Sequence, residues 1–432
     1  MRPLLLIGLF ISTLANAQPK DQPAMPYPGG RNADLWVLAG QSNMLGTGLL
    51  KGPTEPDPRI MVFTKDKQWV QAEEPLHQEL APYSQPEHVG LNILLQRGGV
   101  QLPSGMTPES FLRQAEVRGK GLGGVGPGLF FAKHLIKFTD RPIGLVFWPF
   151  GSTYMTQWDP ALKDDPESLY HGLIERIGLV GGNVKGVLWY QGEAETSPET
   201  SAVYEEKLLN FIDCLRRDVE DPNLPIIYVQ LGPIAGGHGA AFGWEKVRDT
   251  QRRVADMREN IFMVSAIDLP LDDWIHIAYE GHQRLGCRLA EIALSEVYHL
   301  PGHGKPIDVA SVEVLQPTPE RPLIRVRFTG VTGQLTSQGR PTGFELRPTG
   351  PRANQPPNPI FRPEGHHPRM VYRVDFDPAD PAALIVGIYR PFKGDPDQLI
   401  YGGGYIPYVN IVDERDIPIP AFGPIDLPLP EQ

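Results

Sequence analysis

The sequence predicts a three-layer α/β/α domain over residues 34–300, followed by a small β-rich domain of sandwich type over 307–432. Two observations carry this reading. From Asp34 to about Leu300, short apolar runs alternate with amphipathic helical stretches, the pattern of βαβ units around a parallel sheet. After His299 the pattern changes to short alternating runs broken by Pro and Gly, with no convincing helix. A chain of 432 residues has room for two or three domains, and 41% apolar with 21% charged residues suits a globular protein with a large core.

In chain order, Arg2, an apolar stretch over 4–14 and Ala15-Asn16-Ala17 predict a cleaved export signal over 1–17, with Gln18 as the mature N-terminus. That stretch is too short to span a membrane and no other approaches the length, so a secreted or periplasmic protein without a membrane span is expected. Residues 18–33, rich in Pro, Gly and polar side chains, read as an extended leader. The run from Leu35 to Ala39 reads as a buried strand that stops sharply at Gly40. A short strand is expected over 60–62. Residues 73–120 form a long Pro-, Gly- and polar-rich connection, read as a functional insertion in a cleft wall. Helix 130–138, strand 143–148, helix 173–180 and strand 184–190 follow. Then come the long amphipathic helix 202–219, strand 225–231, helix 247–257, strand 261–266 and a final helix 280–298. Residues 300–306 read as a linker, 311–315 and 323–328 as alternating strands, and the Pro-rich 417–430 as a tail extended along the surface.

A formal net charge of −11 offers no phosphate-neutralising footprint, so no nucleic-acid partner is expected. Cys214 and Cys287 both fall in helix-like segments. An exported compartment permits a disulfide between them. Two buried free thiols are the alternative, and no metal-ligand spacing surrounds either cysteine.

Five stretches carry residues suited to acyl transfer. Gly40-Gln41-Ser42-Asn43-Met44 places a serine at the end of the first strand, where open α/β sheets bind ligands. Gln41 and Asn43 flank it as candidates for substrate contact. Asp273-Trp274-Ile275-His276, after the last strand, supplies an acid and a base three residues apart, as a Ser-His-Asp triad requires. Asp272 is the alternative acid. Gly186-Val187-Leu188-Trp189-Tyr190-Gln191-Gly192-Glu193 ends a buried strand in an amide able to donate to an oxyanion and a glutamate able to meet a sugar hydroxyl. The glycine-rich 123–128 stretch offers the Gly126 N–H as a second donor, with Gly128 the alternative. It lacks the Gly-Lys-Ser/Thr ending of a phosphate loop. In the 151–158 loop, Thr153 and Trp158 are candidates to face a substrate. Taken singly, each motif is also an ordinary strand-end turn.

In combination, Gly40-Gln41-Ser42-Asn43-Met44, Val125-Gly126-Pro127-Gly128, Trp189-Tyr190-Gln191-Gly192-Glu193 and Asp273-x-x-His276 resemble the SGNH hydrolases. More narrowly they resemble the sialate O-acetylesterase and acetylxylan esterase group (carbohydrate esterase family 6-like), over about residues 34–298. The run 401–410, with Pro420-Ala421-Phe422, is similar to the ending of sialate O-acetylesterase-type chains. The resemblance implies a flavodoxin-like fold and a metal-free, cofactor-free serine esterase. In it Ser42 is the nucleophile, His276 the base and Asp273 the acid, and the oxyanion donors are the Ser42 N–H, the Gly126 N–H and the Gln191 side chain. Phe150-Gly151-Ser152-Thr153 stands where the family usually has Gly-Gly-Thr. The expected function is a secreted carbohydrate O-acetylesterase acting on an acetylated carbohydrate. The alternatives are an SGNH esterase or lipase on another acyl ester, or an inactive carbohydrate-binding protein.

Overall fold

The computed structural model describes residues 24–28, 32–49, 51, 55–77, 123–235, 241–316, 322–348, 370–389 and 397–427. The expected export signal over 1–17, most of the 18–33 leader and most of the 73–120 insertion lie outside them.

The first elements are β1 (Asp34–Gly40), α1 (Ser42–Leu45), β2 (Gly48–Leu49), β3 (Ile60–Phe63), β4 (Trp69–Gln71), β5 (Gly123–Val125) and α2 (Gly128–Leu135). They continue as β6 (Ile143–Pro149), α3 (Leu169–Val180), β7 (Asn183–Tyr190), α4 (Pro198–Asp218), β8 (Ile226–Gln230), α5 (Ala241–Val254), β9 (Ile261–Ser265) and α6 (Tyr279–Ile292). Seven strands join in one sheet, in the order β4-β3-β6-β1-β7-β8-β9. All neighbours are parallel except β3 and β4, which form an antiparallel hairpin at one edge. That hairpin departs from the expected all-parallel sheet. Its cause is local: Lys67 adopts a φ of 59°, and Lys67 N–H donates to Thr64 O at 3.0 Å, which reverses the chain within one tight turn.

Burial explains the apolar runs. All seven residues of β1 are buried, as expected of a strand covered on both faces. Its Asp34 is paid out in hydrogen bonds from Asn183 Nδ2 at 2.8 Å and the Tyr298 hydroxyl at 2.9 Å. In α4, Ser197 caps the first turn by accepting from Thr200 N–H, Pro198 opens the helix, and Arg216 and Arg217 sit in its last turn. Its buried stripe is Tyr204, Leu208, Phe211, Ile212 and Leu215, at helical spacing. Cys214 in α4 and Cys287 in α6 are both free thiols.

The described residues beyond 307 hold β10 (Asp308–Gln316), β11 (Leu323–Thr329), β12 (Thr336–Ser337), β13 (Phe344–Pro348), β14 (Met370–Phe376), β15 (Ala383–Tyr389), β16 (Asp397–Tyr401), β17 (Ile411–Val412) and β18 (Phe422–Asp426). They pair antiparallel in sheets β10-β11-β15-β14, β13-β16-β18 and β12-β17. In β11, Ile324, Val326 and Phe328 are buried while Arg325 and Arg327 alternate with them. The 417–430 stretch was expected along the surface. Instead Ile417, Ile419, Ala421 and Phe422 are buried, with Pro418 and Pro420 buried between them, and β18 pairs with β16, because proline is apolar and suits an extended chain that packs into the core.

These strands are bonded into the main sheet. Gln230, at the end of β8, donates to Ala421 O and accepts from Ala421 N–H at 2.8 and 2.9 Å. Buried Arg248 donates to the carbonyls of Leu231, Gly232, Gly402 and Gly404. Buried Arg288 forks onto Asp268 and also reaches Asp416.

One charged cluster ties α2 to α6. His134 Nε2 lies 2.8 Å from Glu291 Oε1, and His303 Nδ1 lies 3.1 Å from Glu291 Oε2. The Cys287 sulfur and the Glu291 carboxylate push His134 up to about 9 from an ordinary 6.5. A raised folded-state pKa contributes stability that is complete below the unfolded value and is lost as pH rises through the folded one. Unfolding free energy should therefore fall by on the order of 2 kcal/mol between pH 6.5 and 9. In a His134→Gln variant that slope should flatten, as measured by urea unfolding across the range; an unchanged slope would remove His134 as its source.

Candidate active site

The site begins where three strands end level. In the sheet, Gly40 of β1 stands opposite Pro149 of β6 and Tyr190 of β7. The chain runs from β1 to one side of the sheet and then crosses to the other, so the carboxyl end of β1 is the topological switch point, where open α/β sheets hold ligands. Gly40 leaves the strand at a φ of 125°, and a Cβ there would lie 2.2 Å from Tyr190 O. Only glycine allows that approach. Gln41 N–H then donates to Tyr190 O at 2.7 Å, Phe150 N–H donates to Gly40 O at 2.9 Å, and Ser42 opens α1.

Asp273 and His276 reach Ser42 from the loop after β9. His276 Nε2 lies 3.1 Å from Ser42 Oγ, and His276 Nδ1 lies 2.7 Å from Asp273 Oδ2. Asp273 Oδ1 accepts the N–H groups of Ile275 and His276, both at 2.8 Å. One carboxyl oxygen thus shapes the loop and the other orients the ring. Burial works to raise the Asp273 pKa, but the hydrogen bond and charge of His276 and the two amides outweigh it and hold Asp273 at about 2. Asp272 is otherwise engaged: its Oδ2 accepts Leu49 N–H at 2.7 Å and anchors β2.

Three candidates for substrate contact turn inward. Asn43 is buried and holds three groups: Nδ2 donates to Glu193 Oε1 at 2.9 Å and to Ile275 O at 3.4 Å, and Oδ1 accepts Ile277 N–H at 3.0 Å. It clamps the backbone on both sides of His276. Glu193 is buried beneath it, and burial raises its pKa against the opposing pull of the Asn43 bond. Gln41 is buried and its Oε1 accepts Gly192 N–H at 3.3 Å. All three bond neighbouring loops together. Thr153 and Trp158 also correct the sequence reading. Trp158 is fully buried edge-on against Trp189 and Phe211, and its Nε1 donates to Thr153 Oγ1 at 3.1 Å. The loop that carries these two candidates for substrate contact packs against Phe211 of α4.

The glycine donors are redistributed as well. Gly126 packs against Met44 O and Gly46, and its amide helps hold the buried Glu74 carboxyl, which burial pushes up to about 8. Gly128 opens α2 against the Leu38 side chain. Gly151, the second residue after β6, lies beside Ser42: a Cβ on Gly151 would lie 3.9 Å from Ser42 Cβ. Gln191 enters the same corner, with Nε2 at 3.3 Å from Thr153 O and 3.4 Å from Glu195 Oε1. His282 in α6, which the motifs did not single out, is fully buried near His276. Burial, and then the charge of His276, pull its pKa down to about 3, so it stays a neutral packing group. Among the described residues no group of three His, Cys, Asp or Glu is arranged to hold a metal ion, and no helix is long and apolar enough to cross a membrane.

A family model described as carbohydrate esterase, sialic acid-specific acetylesterase, matches residues 32–295. A probable carbohydrate esterase of Arabidopsis thaliana is 29% identical over 299 residues, covering 64% of this chain and 95% of that protein. Among solved structures, a carbohydrate acetylesterase from Xanthomonas citri superposes with a TM-score of 0.59 at 20% identity, covering 90% of this chain and 80% of that one, which shows a shared fold.

The Asn43 clamp has a measurable consequence. Asn43→Ala strands buried partners on both sides of His276 and should cost about 1–3 kcal/mol of unfolding free energy. Its kcat on a small ester should drop further than its KM changes. Full kcat in a folded variant would show that His276 needs no such clamp.

Proposed function

The chain belongs to the carbohydrate esterase family of sialic acid-specific acetylesterases, and on that premise we propose that it is an exported O-acetylesterase that frees sugar hydroxyls through a Ser42-His276-Asp273 triad. The observation that carries the reading is the unbroken line from Ser42 Oγ through the His276 ring to Asp273, at 3.1 and 2.7 Å. His276 Nε2 takes the Ser42 proton as Oγ attacks the acetyl carbonyl. The tetrahedral intermediate collapses by breaking the bond to the sugar oxygen, which receives that proton from His276. Water, deprotonated by His276, then attacks acetyl-Ser42; acetate leaves and Ser42 regains its proton. Asp273, held at about 2, stays ionised throughout and stabilises the imidazolium.

For the oxyanion we assign the Ser42 N–H, the Gly151 N–H in place of that of Gly126, and the Gln191 side chain. The two present Gln191 contacts are long, so its amide is only weakly held and can turn to a developing charge. Each donor would contribute about 3–4 kcal/mol to the transition state. The strand order supports a flavodoxin-like three-layer domain over 34–300 with a β-rich sandwich domain over 307–432. Export rests on the signal read at 1–17.

Ser42→Ala should lower p-nitrophenyl acetate turnover by about 10⁴-fold or more with an unaltered far-UV circular dichroism spectrum. Asp273→Asn should cost about 10⁴ in kcat, and Gln191→Ala about 10²–10³. Undiminished turnover in the Ser42 variant would refute the nucleophile. Full activity in the Gln191 variant would remove that donor only.

A further inference from the structure

The catalytic loop turns two residues inward and one outward. Trp274, between Asp273 and His276, is 52% exposed. Its backbone is nevertheless fixed: Trp274 O accepts Ala235 N–H at 2.6 Å, and neighbouring Ile234 N–H donates to Tyr405 O at 2.9 Å. Arg248 pins the same strip by bonding the carbonyls of Gly232, Gly402 and Gly404. The catalytic loop, residues 231–235 and residues 402–405 therefore form one stitched rim. Just past it, the C-terminal segment exposes Ile406 and Tyr408, the latter 77% exposed. Tyr154 is also exposed, three residues beyond Gly151, which lies beside Ser42, and its N–H is held by Gln157 Oε1 at 2.9 Å.

Large rings held open to water beside a reaction centre mark a binding surface. Flat aromatic faces match the C–H faces of pyranose rings and leave the hydroxyls free to meet water. From this placement, and resting on the acetylesterase reading, we propose that the substrate is a glycan chain, with sugars next to the acetylated unit stacking on Trp274 and Tyr154. Ile406 and Tyr408 lengthen the surface on the Trp274 side, so the C-terminal segment supplies part of the glycan site. A lone acetylated monosaccharide would lack the neighbouring sugars that stack on these platforms.

The test uses the full chain with p-nitrophenyl acetate and with chemically acetylated monomers and hexamers of xylose and of galacturonic acid. In the better-used series, the wild-type KM should be about tenfold lower for the hexamer than for the monomer. Trp274→Ala should raise the hexamer KM about tenfold, equivalent to about 1.4 kcal/mol, while the monomer KM rises by a much smaller factor. Tyr408→Ala, far from the triad, should move the hexamer KM in the same direction by a smaller factor. Equal KM values for monomer and hexamer in both series would overturn the proposal, as would an unchanged hexamer KM in the Trp274 variant. Parallel loss of p-nitrophenyl acetate turnover in that variant would make Trp274 a loop support and overturn the platform. A wild-type enzyme inert on every one of these esters would take down the esterase reading along with it.

Discussion

The contact between Gly40 and Tyr190 is the constraint from which the site follows. Two adjacent parallel strands end level, and the chain must leave one of them at a point where a Cβ would lie 2.2 Å from the neighbouring carbonyl oxygen. Glycine permits it, and that same carbonyl then accepts Gln41 N–H. The turn is thereby locked to the end of β7, and so are its dependents. Gln41 Oε1 holds Gly192 N–H, and Asn43 reaches Glu193 two positions past Gln191. Ser42 and the 191–193 turn are positioned by one small set of bonds. A residue larger than glycine at position 40 would disturb both together.

Around that turn, two carboxyl groups are driven in opposite directions. Asp273 gathers two amides and a histidine, and stays ionised. Glu193 is buried, and burial raises its pKa against the bond from Asn43. Negative charge is thus concentrated on the acid that touches the histidine. Divergent environments of this kind separate a group that must carry charge from one that packs the floor. The neutral, buried His282 fits the same division, leaving His276 as the imidazole in contact with Ser42.

Much of this was legible in the sequence, for a physical reason. Strands buried on both faces are written as near-continuous apolar runs, and chemistry placed at their carboxyl ends falls where those runs stop. Ser42, Asp273 and His276 could be read that way, and the structure brings them within hydrogen-bond reach. Side-by-side strand order could not be read. Gly126 could be read as a donor from its glycine-rich spacing; the nearness of Gly151 to Ser42 could not, because the adjacency of β6 to β1 leaves no mark in the sequence. Exposure of loop aromatics was equally hidden: Trp158 and Trp274 both sit in strand-end loops, yet one is packed on Trp189 and Phe211 and the other faces water. The short β4 edge and the buried residues near the C-terminus escaped notice because a three-residue strand and a Pro-spaced apolar run carry almost no periodic signal.

The bonds to the C-terminal segment carry a further implication. Arg248 is buried, and four backbone carbonyls, two from the main sheet's loops and two from residues 402–404, take its donors. Burial draws its pKa down to about 9, because the charged form loses its water. Gln230 similarly spends its amide on Ala421, and Arg288 part of its fork on Asp416. Polar groups so buried bind two parts of a chain more strictly than apolar packing, because separation strands donors that have no other acceptor. The loop that carries Trp274 rests on residues 234–235, and those rest on Tyr405. The outer wall of the reaction centre is therefore assembled from both parts of the chain, and its shape depends on the C-terminal segment staying docked.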